Sequence, residues 1–397
     1  MNKGPLAGVK VVELGTLIAG PFCGRLLAEF GAEVIKIEAP EGGDQIRGWR
    51  KMYQGTSLWW YIQARNKKSL TVNLRLPEGQ EIVHRLAADA DIVIENFRPG
   101  ALEKWNIGWP QLSALNPRLI MVRLSGFGQD GPYRDRPGFG VVGEAMGGLR
   151  YVTGYADRPP VRLGISIGDS IAALHGVIGA MMALHHRNVN GGKGQYVDVA
   201  LYEAVFNMME SLIPEFDVLG FKRERAGNEL PGITPSNTYP TRDGKYVIIG
   251  ANNDSIFKRL MIAMGRDDLA NDPSLATNTG RAPRARELDY AIETWTREHD
   301  LNAALEVLER AEVPSGRVYD PEDIVNDAHY AARKMIEQWK LPDGKPMKIP
   351  GVVPKLSETP GGTRWLGPKL GEHNSEILQR LGYAESEQQS LRERGVI

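Results

Sequence analysis

The sequence predicts an α/β protein whose larger part is built on a parallel sheet. Short β-branched runs alternate with helical patterns over the first 150 residues, and the spacing between successive runs leaves room for a crossover helix. Beyond about residue 225 a hairpin signal is followed by charged helices, which predicts a second, smaller α+β domain. The predicted fold class is therefore a doubly wound parallel sheet in a large domain, with a smaller α+β domain.

The first strand–helix–strand unit lies at the start of the chain. A β-branched run at residues 9–14 leads into a turn at residues 15–21, a helical pattern at 22–30 and a strand at 33–37. Such a unit implies a right-handed crossover between parallel strands. The pattern then recurs, with a helix at 79–88, a strand at 91–94, a short helix at 110–115 and a strand at 119–124. We therefore predict a Rossmann-like sheet over residues 1–150.

The remaining elements complete the predicted domain plan. A long apolar helix at residues 170–187 carries Ile171, Leu174, Ile178 and Met182 at helical spacing. Further predicted elements are a strand at 195–200, a helix ending at 209, a hairpin around Arg242-Asp243-Gly244, helices at 256–264, 285–298 and 301–311, a strand at 351–353 and a helix at 374–381. We expect a large domain at 1–224, a small domain at 225–325 and a return segment at 326–397 that completes the large domain.

Composition excludes several classes of protein. The 397 residues include 48 basic and 49 acidic side chains, so no global charge favours nucleic acid or an anionic membrane. Any anionic ligand must therefore be bound by local Arg and Lys residues. The single cysteine, Cys23, forms no intrachain disulfide, which fits a cytoplasmic protein. With no secretory h-region and no unbroken apolar run of about 18 residues, we expect no membrane span.

The turn after the first strand resembles a nucleotide-binding loop only in part. Gly15 and Gly20 are five positions apart, whereas the dinucleotide fingerprint needs G-x-G-x-x-G, so a dehydrogenase is disfavoured. The helix that follows Pro21 still offers an N-terminus to an anion. The alternative is a tight strand-to-helix turn with no ligand.

Two basic clusters are candidates for anion binding. Arg65-Asn66-Lys67-Lys68 lies between predicted elements, and Asn96-Phe97-Arg98 directly follows a predicted strand. Ligands of open α/β sheets bind beside the loops at the carboxyl ends of the strands. Arg98 is suited to a phosphate and Phe97 to an adenine ring. The alternative is that both clusters are solvated charged loops.

Asp169 stands immediately before the long apolar helix. Its ordinary role there is a helix N-cap. The same position suits a nucleophile, because backbone dipoles at a helix start favour the ionised carboxylate. Gly164 and Gly168 leave room for a bulky ligand. The local pattern does not choose between these roles.

Ser166 lies in a G-x-S-x-G match that overlaps the Asp169 segment. A serine nucleophile needs a strand before it and a helix starting at the serine, but no strand is evident and the helix is predicted to begin about three residues later. A serine hydrolase is therefore disfavoured. The seven histidines have no Cys or acidic partners at ligand spacing, so no metal site is expected.

Taken together, several spaced segments resemble the class III CoA-transferases, the CaiB/BaiF family. The resemblance covers nearly the whole chain. Its segments are LIAGPFCGRLLAEFGAEVIKIE from Leu17, RNKKSLTVNLRLPEG from Arg65, ENFRPGALEKWNIG from Glu95, SGFGQDGPY from Ser125, GDSIAALHGVIGAMMAL from Gly168, GGKGQYVDVALYEA from Gly191 and LGEHNSEILQRLG from Leu370.

This resemblance implies a reaction and a set of site residues. Asp169 matches the family aspartate, which carries CoA as a thioester while CoA passes from an acyl-CoA to a free carboxylic acid. By position, the residues that contact CoA are Ala19, Arg75, Asn96, Phe97, Arg98 and Lys104. CoA and acyl-CoA are substrates, and no tightly bound cofactor is implied. The resemblance also implies an interlocked homodimer.

Three positions depart from the formyl-CoA:oxalate members of the family. Ile18 stands where those enzymes have Gln, Phe139 and Gly140 stand where they have Tyr and Glu, and their tetraglycine lid is absent. The segment at 138–154 resembles members that use dicarboxylates such as succinate, malate or citramalate. Arg162 or Arg150 is then a candidate for binding the distal carboxylate. The resemblance therefore implies succinyl-CoA as donor.

Two other functions remain open at this stage. An α-methylacyl-CoA racemase shares the fold, but it needs a proton-transferring His upstream of its Asp, and no histidine lies between His84 and His175. A non-catalytic CoA-binding protein would never become acylated, and the intact Asp169 segment argues against it.

Overall fold

A computed structural model describes residues 4–397. The elements in the first half of the chain are β1 (Lys10–Glu13), α1 (Ala19–Glu29), β2 (Glu33–Glu38), β3 (Met52–Tyr53), β4 (Thr56–Ser57), α2 (Leu58–Gln63), β5 (Lys67–Thr71), α3 (Pro77–Ala88), β6 (Ile92–Glu95), α4 (Ala101–Lys104), α5 (Trp109–Leu115), β7 (Ile120–Ser125), α6 (Gly140–Met146), α7 (Leu149–Val152), α8 (Ile167–Val189), β8 (Tyr196–Ala200) and α9 (Leu201–Phe206).

The second half adds α10 (Leu212–Leu219), β9 (Ser236–Pro240), β10 (Tyr246–Gly250), α11 (Asp254–Ala263), α12 (Asp267–Ala270), α13 (Asn278–Arg281), α14 (Ala285–Arg297), α15 (Leu301–Arg310), β11 (Ser315–Arg317), α16 (Pro321–Asn326), α17 (Ala328–Ala332), β12 (Ile336–Lys340), β13 (Pro346–Pro350), α18 (Asn374–Arg380) and α19 (Glu385–Glu393). Short 3₁₀ helices span Gln45–Gly48, Pro273–Leu275 and Ala282–Arg284.

The chain divides into two compact units. The first comprises residues up to Leu149, Leu163–Glu210 and Lys334–Ile397, and the second comprises Arg150–Arg162 and Ser211–Arg333. The domain limits inferred from the sequence, 1–224, 225–325 and 326–397, stay a prediction.

The first unit contains a six-stranded sheet with the order β5-β2-β1-β6-β7-β8, and every neighbouring pair is parallel. Val12 on β1 pairs with Ile35 on one side and with Val93 on the other. The chain leaves the centre of the sheet in one direction after β1 and in the other after β6, so the sheet is doubly wound. The predicted α/β fold with a parallel sheet is confirmed.

Both faces of this sheet are buried, as parallel sheets require. Because side chains alternate along a strand, Val11, Val34 and Ile92 face α1 and α8, while Val12, Ile35 and Val93 face the opposite layer. Each such buried aliphatic side chain contributes about 1.5 to 3 kcal/mol relative to an exposed one. The β-branched runs that predicted the strands therefore also supply their two cores.

The C-terminal segment covers the β5 edge of the sheet. The backbone N–H of Ser69 lies 3.2 Å from His373 Nδ1, and that of Thr71 donates to Asn374 Oδ1 at 2.9 Å. Ile377 and Leu378 on α18 are fully buried against the sheet. An edge strand with paired backbone groups is closed to further strand addition.

Helix α8 lies against β7 and β8 through its small side chains. A Cβ added at Gly176 would meet Val122 at 3.1 Å, and Ala172 and Ala180 are fully buried. By length and hydropathy alone this helix is able to cross a membrane, although 39% of its most apolar window is buried inside the protein. Its larger apolar side chains Leu174, Ile178 and Met182 are instead exposed.

The second unit contains a three-stranded antiparallel sheet in the order β11-β10-β9. The hairpin predicted around Arg242-Asp243-Gly244 joins β9 to β10. Its core is formed by the sheet with α11, α14 and α15, where Val247, Leu260 and Ile292 are fully buried.

One strand prediction in the first unit is wrong. No strand spans residues 351–353, because the pairing of β13 with β12 ends at Pro350.

Candidate active site

Two loops meet at the carboxyl edge of the sheet where its winding changes direction. The turn after β1 is linked to the loop after β6 by Asn96, whose Oδ1 accepts from Thr16 N at 2.7 Å and whose Nδ2 donates to Thr16 O at 2.8 Å. Gly15 and Gly20 make room for this amide, since a Cβ at position 15 would lie 2.9 Å from Asn96 Oδ1. Open α/β sheets bind ligands at this crevice.

Ion pairs and a backbone hydrogen bond at the end of β6 fix the loop that follows this strand. Glu95 accepts from Phe97 N at 2.8 Å and from Arg123 Nε at 2.7 Å, and Arg123 also pairs with Glu103 at 2.9 Å. Burial raises the pKa of Glu95 to about 7, although Arg123 opposes the shift. The predicted CoA-contacting residues of this loop therefore sit on a backbone with defined hydrogen bonds.

Three exposed cations follow strands β5 and β6 in the chain. Arg98 and Lys104 lie beside the β6 loop, and Arg75 follows β5; all three are exposed. Phe97 is half-buried and packs edge-on against Trp105, with ring centroids 5.4 Å apart. Cationic groups free to reach solvent and a partly open aromatic ring suit a phosphorylated nucleotide.

Asp169 lies in the first turn of α8 and is half-buried. The helix begins at Ile167, with Ser166 in the N-cap position, so the prediction of Asp169 as the N-cap is wrong. The physical reason is that Ser166 has non-helical dihedral angles, φ −84° and ψ 68°, whereas Asp169 is already helical. The helix dipole still favours the ionised carboxylate at this position.

Helices α1 and α8 bring the first turn and Asp169 to the same edge. Both pack on the same face of the sheet, and each is part of a crossover between parallel strands. Each helix therefore begins at the carboxyl edge. Ala19 is the first residue of α1, Ile18 is its N-cap, and both are buried. Two positive helix ends thus flank the crevice.

Gly140 contacts the carboxylate of Asp169 directly. It is the first residue of α6 and is buried, and a Cβ at this position would lie 2.1 Å from Asp169 Oδ2. Gly168 packs in turn on the Gly140 carbonyl. Phe139, the N-cap of α6, is exposed. Of the two substrate residues predicted at 139 and 140, Gly140 therefore borders Asp169, and Phe139 precedes it in the chain.

The remaining predicted carboxylate ligands belong to the second unit. Arg150 and Arg162 both lie in its first segment, and Arg162 is exposed. Their predicted role rests on the sequence alone.

The cluster at residues 65–68 is neither a solvated loop nor an anion site. Arg65, Asn66 and Lys67 are buried, and β5 begins at Lys67. Arg65 pairs with Glu29, and Lys67 pairs with Glu13. Burial next to internal carboxylates, which a charged run does not reveal in the sequence, overturns the prediction.

Ser166 lies at the start of a helix, as a serine nucleophile would, but it is not preceded by the strand that such a site also needs. The expectation that the helix starts three residues after it is wrong, because α8 begins at the next residue. No strand leads into Ser166 within residues 153–165 of the described chain. Over residues 4–397, no group of three or more His, Cys, Asp or Glu side chains is arranged to bind a metal ion.

One large cavity of the first unit lies away from these residues. It measures about 510 Å³ and is lined by side chains that include Arg47, Trp60, Trp365, Lys369 and His373. Arg47 is already paired with Glu38 and stacked on Trp60 at 3.7 Å. None of the predicted site residues lines this cavity.

Sequence reasoning missed the buried polar residues beneath the first turn, namely Lys36, Asp44, Gln63 and Lys67. One signal was present: Lys36 interrupts the apolar run of β2, and a lysine inside a strand buried on both faces needs a partner.

Comparison with known proteins identifies the family. The model of CoA-transferase family III matches residues 6–374. The chain is 52% identical over 395 residues to the succinyl-CoA–D-citramalate CoA-transferase of Chloroflexus aurantiacus, covering 99% of this chain and 98% of the relative. It is 43% identical over 401 residues to the succinyl-CoA–L-malate CoA-transferase beta subunit of the same organism, covering 99% and 98%.

A solved structure agrees with this match. The crystal structure of a CaiB/BaiF family protein from Brucella suis superposes with a TM-score of 0.83 at 35% identity, covering 96% of this chain and all of that one. The crevice at the sheet edge, the aspartate at the start of α8 and the matches over nearly the full length agree, and the chain belongs to CoA-transferase family III, the CaiB/BaiF family, and is a CoA-transferase.

Proposed function

We propose that this CoA-transferase moves CoA from succinyl-CoA to a free dicarboxylate of the malate or citramalate class, with Asp169 as the covalent carrier. The assignment of Asp169 rests on its position in the first helical turn of α8. That position lies at the same edge of the sheet as the turn between β1 and α1 and the loop after β6. The dipole at a helix N-terminus favours the ionised form of a carboxylate, which is the form that a nucleophile needs.

The first half-reaction loads the enzyme. An Asp169 oxygen attacks the thioester carbonyl, the C–S bond breaks, and CoA leaves as a thiolate while a mixed anhydride remains on Asp169. The thiolate then attacks the Asp169 carbonyl carbon of this anhydride. Succinate leaves as a carboxylate, and an aspartyl-CoA thioester remains. Each step exchanges one acyl bond for another, so no oxidant or metal is needed.

The second half-reaction reverses these steps with a different acid. The acceptor carboxylate attacks the aspartyl thioester and expels CoA thiolate, which gives a new mixed anhydride. The thiolate attacks the acceptor carbonyl, and the Asp169 carboxylate is regenerated. Water must be kept from both intermediates, because hydrolysis would release CoA without transfer. CoA is thus a substrate, and the cycle requires no tightly bound cofactor.

The proposed CoA contacts follow the sheet edge. Ala19 and the first turn would contact the pantetheine arm, whereas Asn96, Phe97 and Arg98 would contact the nucleotide. Arg75 and Lys104 add charge near the phosphates. The exposure of the three cations, which leaves them available to a ligand, supports these roles.

The acid substrate is proposed from the relatives and from the small residues beside Asp169. Two relatives with 52% and 43% identity are named for succinyl-CoA with citramalate or malate. Ile18, Phe139 and Gly140 would border the acid, and Arg162 would bind its distal carboxylate. The contact between Gly140 and Asp169 supports this proposal, because a side chain at position 140 would occupy the space next to the nucleophile.

We also propose that the chain forms a homodimer in the cytoplasm. Leu174, Ile178 and Met182 form an apolar stripe on the outer side of α8, where they are 47%, 51% and 67% exposed. A contiguous apolar surface of this kind marks an interaction site. A second copy is the proposed partner, in the interlocked arrangement that the family resemblance implies, and neither a membrane nor a nucleic acid is proposed.

A racemase function is less well supported. His175 is the histidine nearest to Asp169 in the sequence, and both of its ring nitrogens have protein partners: Nδ1 lies 2.9 Å from Ile171 O, and Nε2 lies 3.2 Å from Asn207 Nδ2. A general acid–base pair would need a ring nitrogen that faces the substrate.

Mass spectrometry of the quenched enzyme tests the proposal. After incubation with succinyl-CoA, we expect a succinyl or CoA adduct on Asp169 that hydroxylamine removes. The isosteric variant Asp169→Asn should show neither the adduct nor transfer to malate or citramalate, and Ser166→Ala should retain both. A label on Ser166 instead would indicate a hydrolase, and the absence of any adduct over a panel of acyl-CoAs would contradict the covalent mechanism.

The same panel tests the substrate class. Succinyl-CoA should be turned over with C4 and C5 dicarboxylates as acceptors, and oxalate and monocarboxylates should be poor acceptors. If monocarboxylic acyl-CoAs were turned over while succinyl-CoA was inert, the dicarboxylate proposal would fail but the family reaction would stand.

A further inference from the structure

Four charged side chains form a closed ion cluster beneath the first turn. Glu13, Lys36, Asp44 and Lys67 are each at most 2% exposed. Lys36 Nζ lies 3.0 Å from Glu13 Oε1 and 2.7 Å from Asp44 Oδ2, and Lys67 Nζ lies 2.7 Å from Glu13 Oε2. Two positive and two negative groups balance, so the cluster, here called the sub-turn cluster, carries no net charge.

The sub-turn cluster is attached to the turn at three backbone points. Lys36 Nζ donates to Gly15 O at 2.9 Å, and Lys67 Nζ donates to Pro21 O at 2.6 Å. Between them, Leu17 N donates to Asp44 Oδ1 at 3.0 Å. Leu17 has φ +65°, a left-handed conformation that is unfavourable for a leucine. The cluster therefore fixes both ends of the turn and stabilises its strained middle.

A neutral side chain adds a fourth point of attachment. Gln63 from α2 is buried, and its Nε2 donates to Ile18 O at 3.1 Å. The carbonyl groups of Gly15, Ile18 and Pro21 are thus all directed toward side chains beneath the turn.

Helix α1 is shaped to accommodate the sub-turn cluster. A Cβ at Gly24 would lie 1.9 Å from Glu13 Oε2, so only glycine leaves space for that carboxylate. A buried ion cluster is a poor route to stability, because apolar side chains of similar volume usually stabilise a core equally well. Apolar side chains, however, have no donors for the carbonyls of Gly15 and Pro21. Compared with apolar side chains, the charged residues therefore contribute hydrogen bonds to the turn.

We propose that Lys36 and Lys67 are positioning residues for the CoA thioester: by donating to the carbonyls of Gly15 and Pro21, they fix the turn that leads to Ala19, the proposed contact of the pantetheine arm. This inference rests on the proposed function, which supplies the ligand of the turn. The two lysines act through the backbone and do not contact the substrate.

A buried ion pair at the far end of α1 offers a matched control. Arg65 and Glu29 are at most 3% exposed, Arg65 Nε donates to Glu29 Oε1 at 2.6 Å, and Arg65 Nη1 donates to Pro350 O. This pair resembles the Lys67–Glu13 pair in burial and in carbonyl donation. Its carbonyl partner lies outside the first turn.

The test compares two charge-balanced double variants of the full-length protein. Lys67→Met/Glu13→Gln removes the bond to Pro21 O and both ion pairs of Glu13, those with Lys67 and Lys36. Arg65→Met/Glu29→Gln likewise removes both ion pairs of Glu29, those with Arg65 and Arg25. Both are expected to lower the thermal unfolding midpoint. Only the first should raise KM for succinyl-CoA and Kd for free CoA, by tenfold or more, with kcat at saturating substrate within threefold of wild type, because Asp169 lies on another helix.

A neutral variant keeps the test decisive if the first double variant does not fold. Gln63→Met removes only the bond to Ile18 O and leaves no buried charge unpaired, and it should raise KM and Kd about threefold. Unchanged values in a folded variant, or equal increases in the control, would overturn the inference. If wild-type protein forms no Asp169 adduct and does not bind CoA, the proposed function itself fails, which these measurements distinguish from a failure of the positioning role alone.

Discussion

The carboxylate of Asp169 fills the space that a side chain at position 140 would need. A Cβ on Gly140 would lie 2.1 Å from Asp169 Oδ2 and 2.8 Å from its Cγ, far inside van der Waals contact. Gly140 is the first residue of α6, and Asp169 lies in the first turn of α8. Because both belong to helices, their backbones cannot easily move apart. The absence of a side chain at 140 therefore allows the Asp169 carboxylate to take this position.

Gly140→Ala should therefore reduce activity without abolishing the fold. The added methyl group displaces the carboxylate by an ångström or more, and a misplacement of that size costs about 100-fold in rate. We expect kcat to fall about 100-fold in steady-state transfer assays, with a smaller change in the KM for acyl-CoA. Gly316→Ala in β11 is the control, because a Cβ there meets nothing within 4 Å, and its kcat should stay within twofold of wild type. Equal losses in both variants would contradict the steric argument.

The sequence predicts most of this architecture because the signals are local. The β-branched runs of β1, β2, β6 and β7 are buried on both sheet faces, so their composition alone identifies them. Strand β5, Lys67–Thr71, was missed because its first two residues are lysines. Only the burial of Lys67 against Glu13, which lies 54 positions earlier, explains why a charged residue occupies a strand.

The prediction of the candidate site is limited for the same reason. The order of the motifs pointed to Asp169 and to the loop at Asn96, whose roles stay a prediction. It did not show the contact between Gly140 and Asp169, which are 29 residues apart in the sequence. No local pattern encodes that distance. The Asp44 contact with Leu17 is also set by the tertiary fold, which supports a left-handed leucine that local propensity disfavours.

Asn96 should couple the two loops of the crevice. Asn96→Ala removes both hydrogen bonds to Thr16 and leaves the backbone N–H and C=O groups of Thr16 without those partners. The loss costs about 1 to 3 kcal/mol of stability. The first turn should then sample other positions, and we expect KM for acyl-CoA to rise about tenfold. Asn96→Asp, which keeps the acceptor for Thr16 N but loses the donor to Thr16 O, should give an intermediate value. If Asn96→Asp were the weaker binder, repulsion of the CoA phosphates and not the loss of loop coupling would dominate.

The stability of the protein should depend on the protonation of Lys67. Burial, together with the nearby Lys36, lowers the pKa of Lys67 from 10.5 to about 8, although Glu13 opposes the shift. Between pH 8 and 10.5 the unfolded chain holds this proton and the folded protein does not, so the free energy of unfolding contributed by this group increases with pH. The gain over the full window is about 3 kcal/mol.

Denaturant unfolding of wild type and Lys67→Met at pH 7 to 10 measures this contribution. We expect the stability difference, wild type minus variant, to become more favourable to wild type as pH rises through 8. Burial opposes protonation of Lys36, but the Glu13 and Asp44 carboxylates raise its pKa, so Lys36 keeps its proton throughout this range. A difference that is flat or falls with pH would contradict the shift assigned to Lys67.

The apolar stripe on α8 should mediate self-association. Ile178 is 51% exposed at the centre of the stripe, between Leu174 and Met182. Ile178→Asp would place a charge in a desolvated interface, which costs several kcal/mol unless the charge is paired. Light scattering coupled to size-exclusion chromatography should show a dimer for wild type and a concentration-dependent shift toward monomer for the variant. Ala114→Asp, an exposed position on α5, should leave the dimer intact. A monomeric wild-type protein, or a variant dimer of unchanged stability, would show that this stripe is not the interface.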